Sequence, residues 1–183
     1  MKAALPENEA ERLKALYDLE ILDTEAEKSF DDLTRLACYI CKTPVALITL
    51  IDSDRQWYKS RIELPVSETS RDISFCAHAI LQPGPFLVPD ALEDERFNTN
   101  PMVISEPKIR FYAGAPLTTE GYNIGTLCVI DREPRTLTRG QILALKTLSD
   151  QVITLIKLRH EVISLKRDLN EEKEKYKSLQ SSV

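Results

Sequence analysis

The chain has 183 residues, 43% hydrophobic and 29% charged, which is ordinary globular usage and enough for one cored domain plus an appendage. Lys and Arg number 24 against 29 Asp and Glu, a net charge of −5, so a nucleic-acid surface is not expected. No apolar run reaches the ~20 residues of a membrane span and the N-terminus lacks a signal peptide's apolar core, so the expected setting is the reducing cytoplasm, without a membrane partner and with Cys38, Cys41, Cys76 and Cys128 as thiols.

Two helices open the chain. Asn8 with Glu11, ahead of Leu13, Leu16 and Leu19, has the form of a capping arrangement before an amphipathic helix. Thr24 with Glu27 repeats that form ahead of Phe30, Leu33, Leu36, Ala37, Ile40 and Cys41, whose spacing puts them on one helical face. Pro44 stops this second helix. Residues 45–51 form a continuous apolar strand, and residues 56–59 return beside it after the polar turn DSDR. Residues 63–71 read as loop. Residues 74–81 (SFCAHAIL) read as a short helix with Ser74 as cap, broken by Pro83-Gly84-Pro85. Residues 86–88 make a short strand, and residues 94–108 an irregular loop with a helical turn. Residues 109–118 and 124–131 are strands of a second hairpin. Short turns between neighbouring strands imply an antiparallel sheet with helices on its faces, an α+β fold.

The last element is the longest. Thr138 and Gln141 form a capping box, with Leu137 and Ile142 as its hydrophobic staple. A helix from there to about residue 179 is ~60 Å long, more than the span of the domain it leaves. Ile142, Leu145, Ser149, Val152 and Ile156 make one stripe, directed at the sheet. Leu148, Leu155, Val162, Leu169 and Tyr176 make a second, interleaved with Leu158, Leu165, Glu172 and Leu179 at alternating separations of three and four. This second stripe predicts a parallel homodimer, with Glu161 against Lys166 and Asp168 against Lys173 across the pair.

The chemistry-bearing residues each admit a plain reading. Cys38 and Cys41 could join Cys76 and His78 as a zinc set, but they lie on an apolar helix face, where cysteine acts as a small hydrophobe. No metal site is expected. Cys76 and His78 stand two apart on a short helix and do not face one another, which disfavours a nucleophile pair. His78 could instead line a cavity. Asp90, Asp94, Glu95 and Arg96 read as a solvated loop cluster ahead of Phe97. Arg110 and Tyr112 alternate onto one strand face, an arrangement suited to an anionic or aromatic ligand or to a cross-strand pair.

The strings RQWYKS, ETSRDISFCAHAI, VPDALEDERF, NPMVISEPKIRFYAGAPL and GTLCVIDREPRTLT, in that order, resemble a bacterial GAF domain of the kind that opens sensor proteins. The resemblance spans roughly residues 5–159. It implies an antiparallel sheet of about six strands, terminal helices on one face, and loops and short helices over a ligand cavity on the other. It divides the chain into an N-terminal helix (1–22), a GAF core (23–156) and a C-terminal signalling helix (157–183). The implied lining is Phe75, Cys76, His78, Asp90, Arg96, Phe97, Arg110 and Tyr112. Residues 98–101 before the late strand carry no cysteine, so covalent bilin attachment is not expected, and the cyclic-nucleotide signature of other members is missing. The ligand stays unassigned. The implied role is regulatory rather than enzymatic: a dimer relaying a small ligand or cavity state to a histidine kinase or diguanylate cyclase output, in cis or in trans. The alternatives are a small cysteine-dependent reductase, like the methionine sulfoxide reductase members, and a ligand-free structural dimerisation module.

Overall fold

The structure, a computed structural model, describes residues 2–180; the end of the expected C-terminal segment, 181–183, lies outside the described residues. In chain order the elements are α1 (Glu9–Tyr17), α2 (Lys28–Cys41), β1 (Val45–Ile51), β2 (Arg55–Ile62), β3 (Glu68–Ser70), a 3₁₀ turn (Arg71–Ile73), α3 (Phe75–Ala79), β4 (Phe86–Val88), α4 (Pro101–Ile104), β5 (Phe111–Thr119), β6 (Tyr122–Asp131) and α5 (Arg139–Gln180). The six strands form one antiparallel sheet in the order β3-β2-β1-β6-β5-β4.

The period-2 alternation of the strands makes two cores. Ala46, Ile48, Leu50, Phe111, Ala113, Leu127 and Val129 pack against α1, α2 and the first half of α5. Leu47, Ile51, Tyr58, Tyr112, Cys128 and Ile130 face the opposite way, under α3, α4 and the loops. The β5–β6 turn is Glu120-Gly121, both at positive φ, the type I′ geometry that matches strand twist.

Four local expectations are corrected. Asn8 makes no side-chain cap; α1 is instead anchored from within, by Arg12. Thr24 does not cap α2, which begins at Lys28, because its hydroxyl donates to the Ile21 carbonyl and accepts from Lys59 Nζ. Residues 63–71 are not all loop: Glu68–Ser70 pair with β2 as a polar edge strand. Leu148 does not face outward; it is 8% exposed in its own domain's core, and Leu155 packs partly against that core. The cause is helical drift. A straight helix turns ~20° per heptad relative to a seven-residue stripe, so Leu148, Leu155, Val162, Leu169 and Tyr176 rotate from the sheet side towards solvent. The capping box does form, Thr138 N–H donating to Gln141 Oε1 at 2.9 Å and Gln141 N–H to Thr138 Oγ1 at 3.3 Å.

Glu9 joins the two faces of the domain. Its carboxylate accepts a bidentate pair from Arg12 at 2.8 Å each and a third bond from Arg71, just before α3. Burial by itself raises its pKa, but the hydrogen bonds from the two guanidinium groups outweigh that and lower it from 4.5 to about 2. Since the folded value is the depressed one, this contribution is complete above pH 4.5 and is lost as pH falls through about 2. Urea unfolding at stepped pH should show stability dropping across that window. In Glu9→Gln the drop should shrink and the stability at neutral pH should be lower.

Candidate functional site

The face away from the long helix is roofed by short elements held by side-chain caps. Ser74 Oγ accepts from Ala77 N–H at 3.0 Å at the start of α3, and donates to Gln56 on β2. Asn100 caps α4 and donates through Nδ2 to the Ile73 carbonyl at 2.9 Å, tying α4 to the 3₁₀ turn that precedes α3. Beneath them lies an aromatic stack. Phe75 is parallel to Phe97 at 4.0 Å and leans on Tyr112 at 5.3 Å, and the His78 ring meets Phe97 edge-on at 4.8 Å.

The stack leaves a cavity of about 40 Å³ between Leu47, Tyr58, Phe75, Cys76, Tyr112 and Ile130. Glu63, Leu64, Pro107 and Arg132 also line it, and of these Glu63 and Arg132 are exposed. Typical ligand pockets run to ~300–1,000 Å³, so this space suits a few water-sized molecules.

Of the eight expected lining residues, Phe75, Cys76 and Tyr112 stand on the wall. Phe97 and His78 form a second layer behind Phe75. Asp90, Arg96 and Arg110 are drawn off into ion pairs. Arg110 clamps Asp90 through two bonds and thereby lowers that carboxyl's pKa, so Arg110 and Tyr112 do not work as a pair. Arg96 holds Asp94 and spreads over the Phe86 ring at 4.7 Å, covering the stack from outside. The sequence reading did not single out Tyr58, Gln56 or Cys128 as site residues. Gln56 and Tyr58 alternate on β2, and that period was the available signal for them.

Cys76 is met by several polar groups on this face. Its sulfur accepts from Tyr112 Oη at 3.3 Å and lies 3.8 Å from Cys128 Sγ. The phenol reaches it because Gly114, two residues along β5, has no side chain; a Cβ there would sit 2.2 Å from Tyr112 Oη. Burial disfavours charge on Cys76, but hydrogen bonds from Cys128, Thr126, Thr49 and Tyr112 outweigh it and hold the thiol below its ordinary pKa. Burial pushes Cys128 well above. Cys38 and Cys41 belong to the other core, where burial raises both to about 11. The sheet therefore stands between them and Cys76, and the four-ligand set weighed from the sequence is not assembled.

A family model for the GAF domain matches residues 25–156. The chain belongs to the GAF domain family. It is 50% identical over 131 residues to a cyclic di-GMP phosphodiesterase of Pseudomonas aeruginosa, an alignment covering 71% of this chain and 22% of that protein. The chain thus spans about a fifth of that relative's length. Among solved structures, the GAF domain of an Acinetobacter phosphoenolpyruvate-protein phosphotransferase superposes with a TM-score of 0.63 at 19% identity, over 86% of this chain and 98% of that one. A free methionine-R-sulfoxide reductase from Neisseria meningitidis superposes at 0.61 and 14% identity, over 88% and 98%. At these identities the two structures speak for the fold alone. In this GAF domain the expected six-stranded sheet, helical face and roofed face are all present, and among the described residues no helix is long and apolar enough to cross a membrane.

Proposed function

We propose that this GAF domain is a non-catalytic regulatory input module that dimerises through parallel α5 helices and relays the state of its roofed face to an output domain. The observation that carries the reading is the outer half of α5. Leu158, Val162, Leu165, Leu169 and Tyr176 are between 48% and 66% exposed along one side of the helix. Arg159 and Arg167 on this helix still reach back to Glu27 and Glu20, but the exposed apolar stripe gains most by meeting another helix. Across a parallel pair Glu161 meets Lys166 and Asp168 meets Lys173, which selects orientation more than it adds affinity. The relative's name favours an output that acts on cyclic di-GMP. A cavity near 40 Å³ favours a small effector, or a state change of the wall itself, over a drug-sized ligand. The same volume weighs against a reductase turning over an amino-acid-sized sulfoxide at Cys76.

Sedimentation velocity tests the dimer. The 183-residue chain should sediment as a dimer at high micromolar concentration. Leu165→Glu/Leu169→Glu should sediment as a monomer with the near-UV circular dichroism of the domain unchanged. A monomeric parent chain at that concentration overturns the reading.

A further inference from the structure

Cys76 and Cys128 are 52 residues apart in sequence, yet their sulfurs are 3.8 Å apart, both 2% exposed or less. We propose that this pair is an oxidation site, closing to a reversible disulfide when a small hydroperoxide enters the cavity. Three observations converge on it. First, the sulfurs need to approach by less than ~2 Å to reach disulfide bonding distance. Second, Cys76 stands on the cavity wall, and the same cavity is lined by the exposed Glu63 and the half-buried Leu64 and Pro107, so a peroxide-sized molecule has both a route from the surface and a space. Third, Tyr112, held over Gly114, donates its hydroxyl to the Cys76 sulfur and stabilises it as thiolate, the nucleophilic form.

The reaction balances with hydrogen peroxide as oxidant. Cys76 thiolate attacks one peroxide oxygen, the O–O bond breaks, and the departing hydroxide takes up a proton to leave as water. Cys76 is now a sulfenic acid. Cys128 loses its proton and attacks that sulfur; the S–S bond forms, the S–O bond breaks, and the second oxygen leaves as water. Two thiols have lost two electrons and two protons, and one peroxide has become two waters.

The two cysteines sit on unequal supports. Cys128 is in β6, hydrogen-bonded on both sides by β1 and β5. Cys76 is on the five-residue α3, flanked by a 3₁₀ turn and a loop. Closure therefore draws α3 towards the sheet, carrying Phe75 and its stack on Phe97. The chemistry does not depend on the input-module reading; only its use as a signal does.

The test uses the full chain, titrated with stoichiometric hydrogen peroxide, with the remaining thiols alkylated under denaturing conditions and the peptides mapped by mass spectrometry. The expected result is a fall from four alkylatable thiols to two. A linked peptide pair containing Cys76 and Cys128 should appear, be reversed by dithiothreitol, and leave Cys38 and Cys41 alkylated. In Cys128→Ser, Cys76 should instead be trapped by dimedone as the sulfenic acid. The linkage map of the unmodified chain decides the matter without that variant. Four thiols surviving, or oxidation confined to Cys38 and Cys41, overturns the proposal and leaves the sedimentation result for the dimer untouched.

Discussion

Arg12→Ala should lower the unfolding free energy by about 3–5 kcal/mol, the range for removing one partner of a buried ion pair. Arg12 lies in α1, where a surface helix would normally show an arginine to solvent, yet its side chain is 1% exposed. It occupies that position because all its reach is used. The guanidinium forks onto Glu9 and also donates to the Ile51 carbonyl at 2.7 Å, at the end of β1. Truncation leaves a buried carbonyl unpaired and Glu9 with Arg71 as its remaining guanidinium, so two desolvation penalties appear together. It also loosens a network that joins the helical face to the turn before α3, since Arg71 donates to both Glu9 and the Asp52 carbonyl. Lys14→Ala on the same helix removes only the exposed pair with Asp18 and should cost below ~0.5 kcal/mol. Urea denaturation of both variants checks the ordering. A loss under ~1 kcal/mol for Arg12→Ala would show that the buried network is not a stabilising feature.

Such contacts mark where sequence reasoning stops. Residues 45–51 and the second hairpin were legible because an apolar run and a polar turn are local facts, although β6 begins at Tyr122, two residues before the expected 124. The capping box at Thr138 was legible for the same reason, since both partners lie within one turn. Glu68–Ser70 was not, because three polar residues carry no strand signal; their pairing is imposed by Arg55 and Trp57 alongside. The Thr24 cap failed because the hydroxyl was claimed by Lys59, a side chain with no exposure that also reaches Glu27. At the candidate site, Phe75, Cys76 and Tyr112 could be named from strings, but the Cys76–Cys128 approach could not. It is a tertiary consequence of α3 being roofed over β6. Arg110 was misplaced because strand alternation gives a face and does not reveal that Asp90, twenty residues earlier, will hold it at the rim. The seam on α5 was legible as a stripe, and its start at Leu148 was wrong by the drift of the helix itself.

Gly125→Ala should cost about 3 kcal/mol or more, at the upper end for overpacking, and two other glycines of the same chain set the scale. A Cβ at Gly125 would stand 2.0 Å from the Thr49 carbonyl oxygen and 3.0 Å from Leu50 Cα, both backbone. No rotamer change relieves that overlap; β1 and β6 have to separate. These are the two central strands of the sheet, and Thr49 and Thr126 bridge them by hydroxyls 3.1 Å apart just above the thiol pair. Gly121 differs in kind. It has open space around it and φ of +84°, so alanine there meets no atom and loses only about 1–2 kcal/mol to left-handed strain. Gly84, with open space and no such φ, should tolerate alanine within ~0.5 kcal/mol. The expected order of unfolding midpoints is therefore Gly84→Ala highest, Gly121→Ala intermediate and Gly125→Ala lowest. Should Gly125→Ala melt with the parent, the β1–β6 backbones are not in the close contact described, and the position of Cys128 beneath them fails with it.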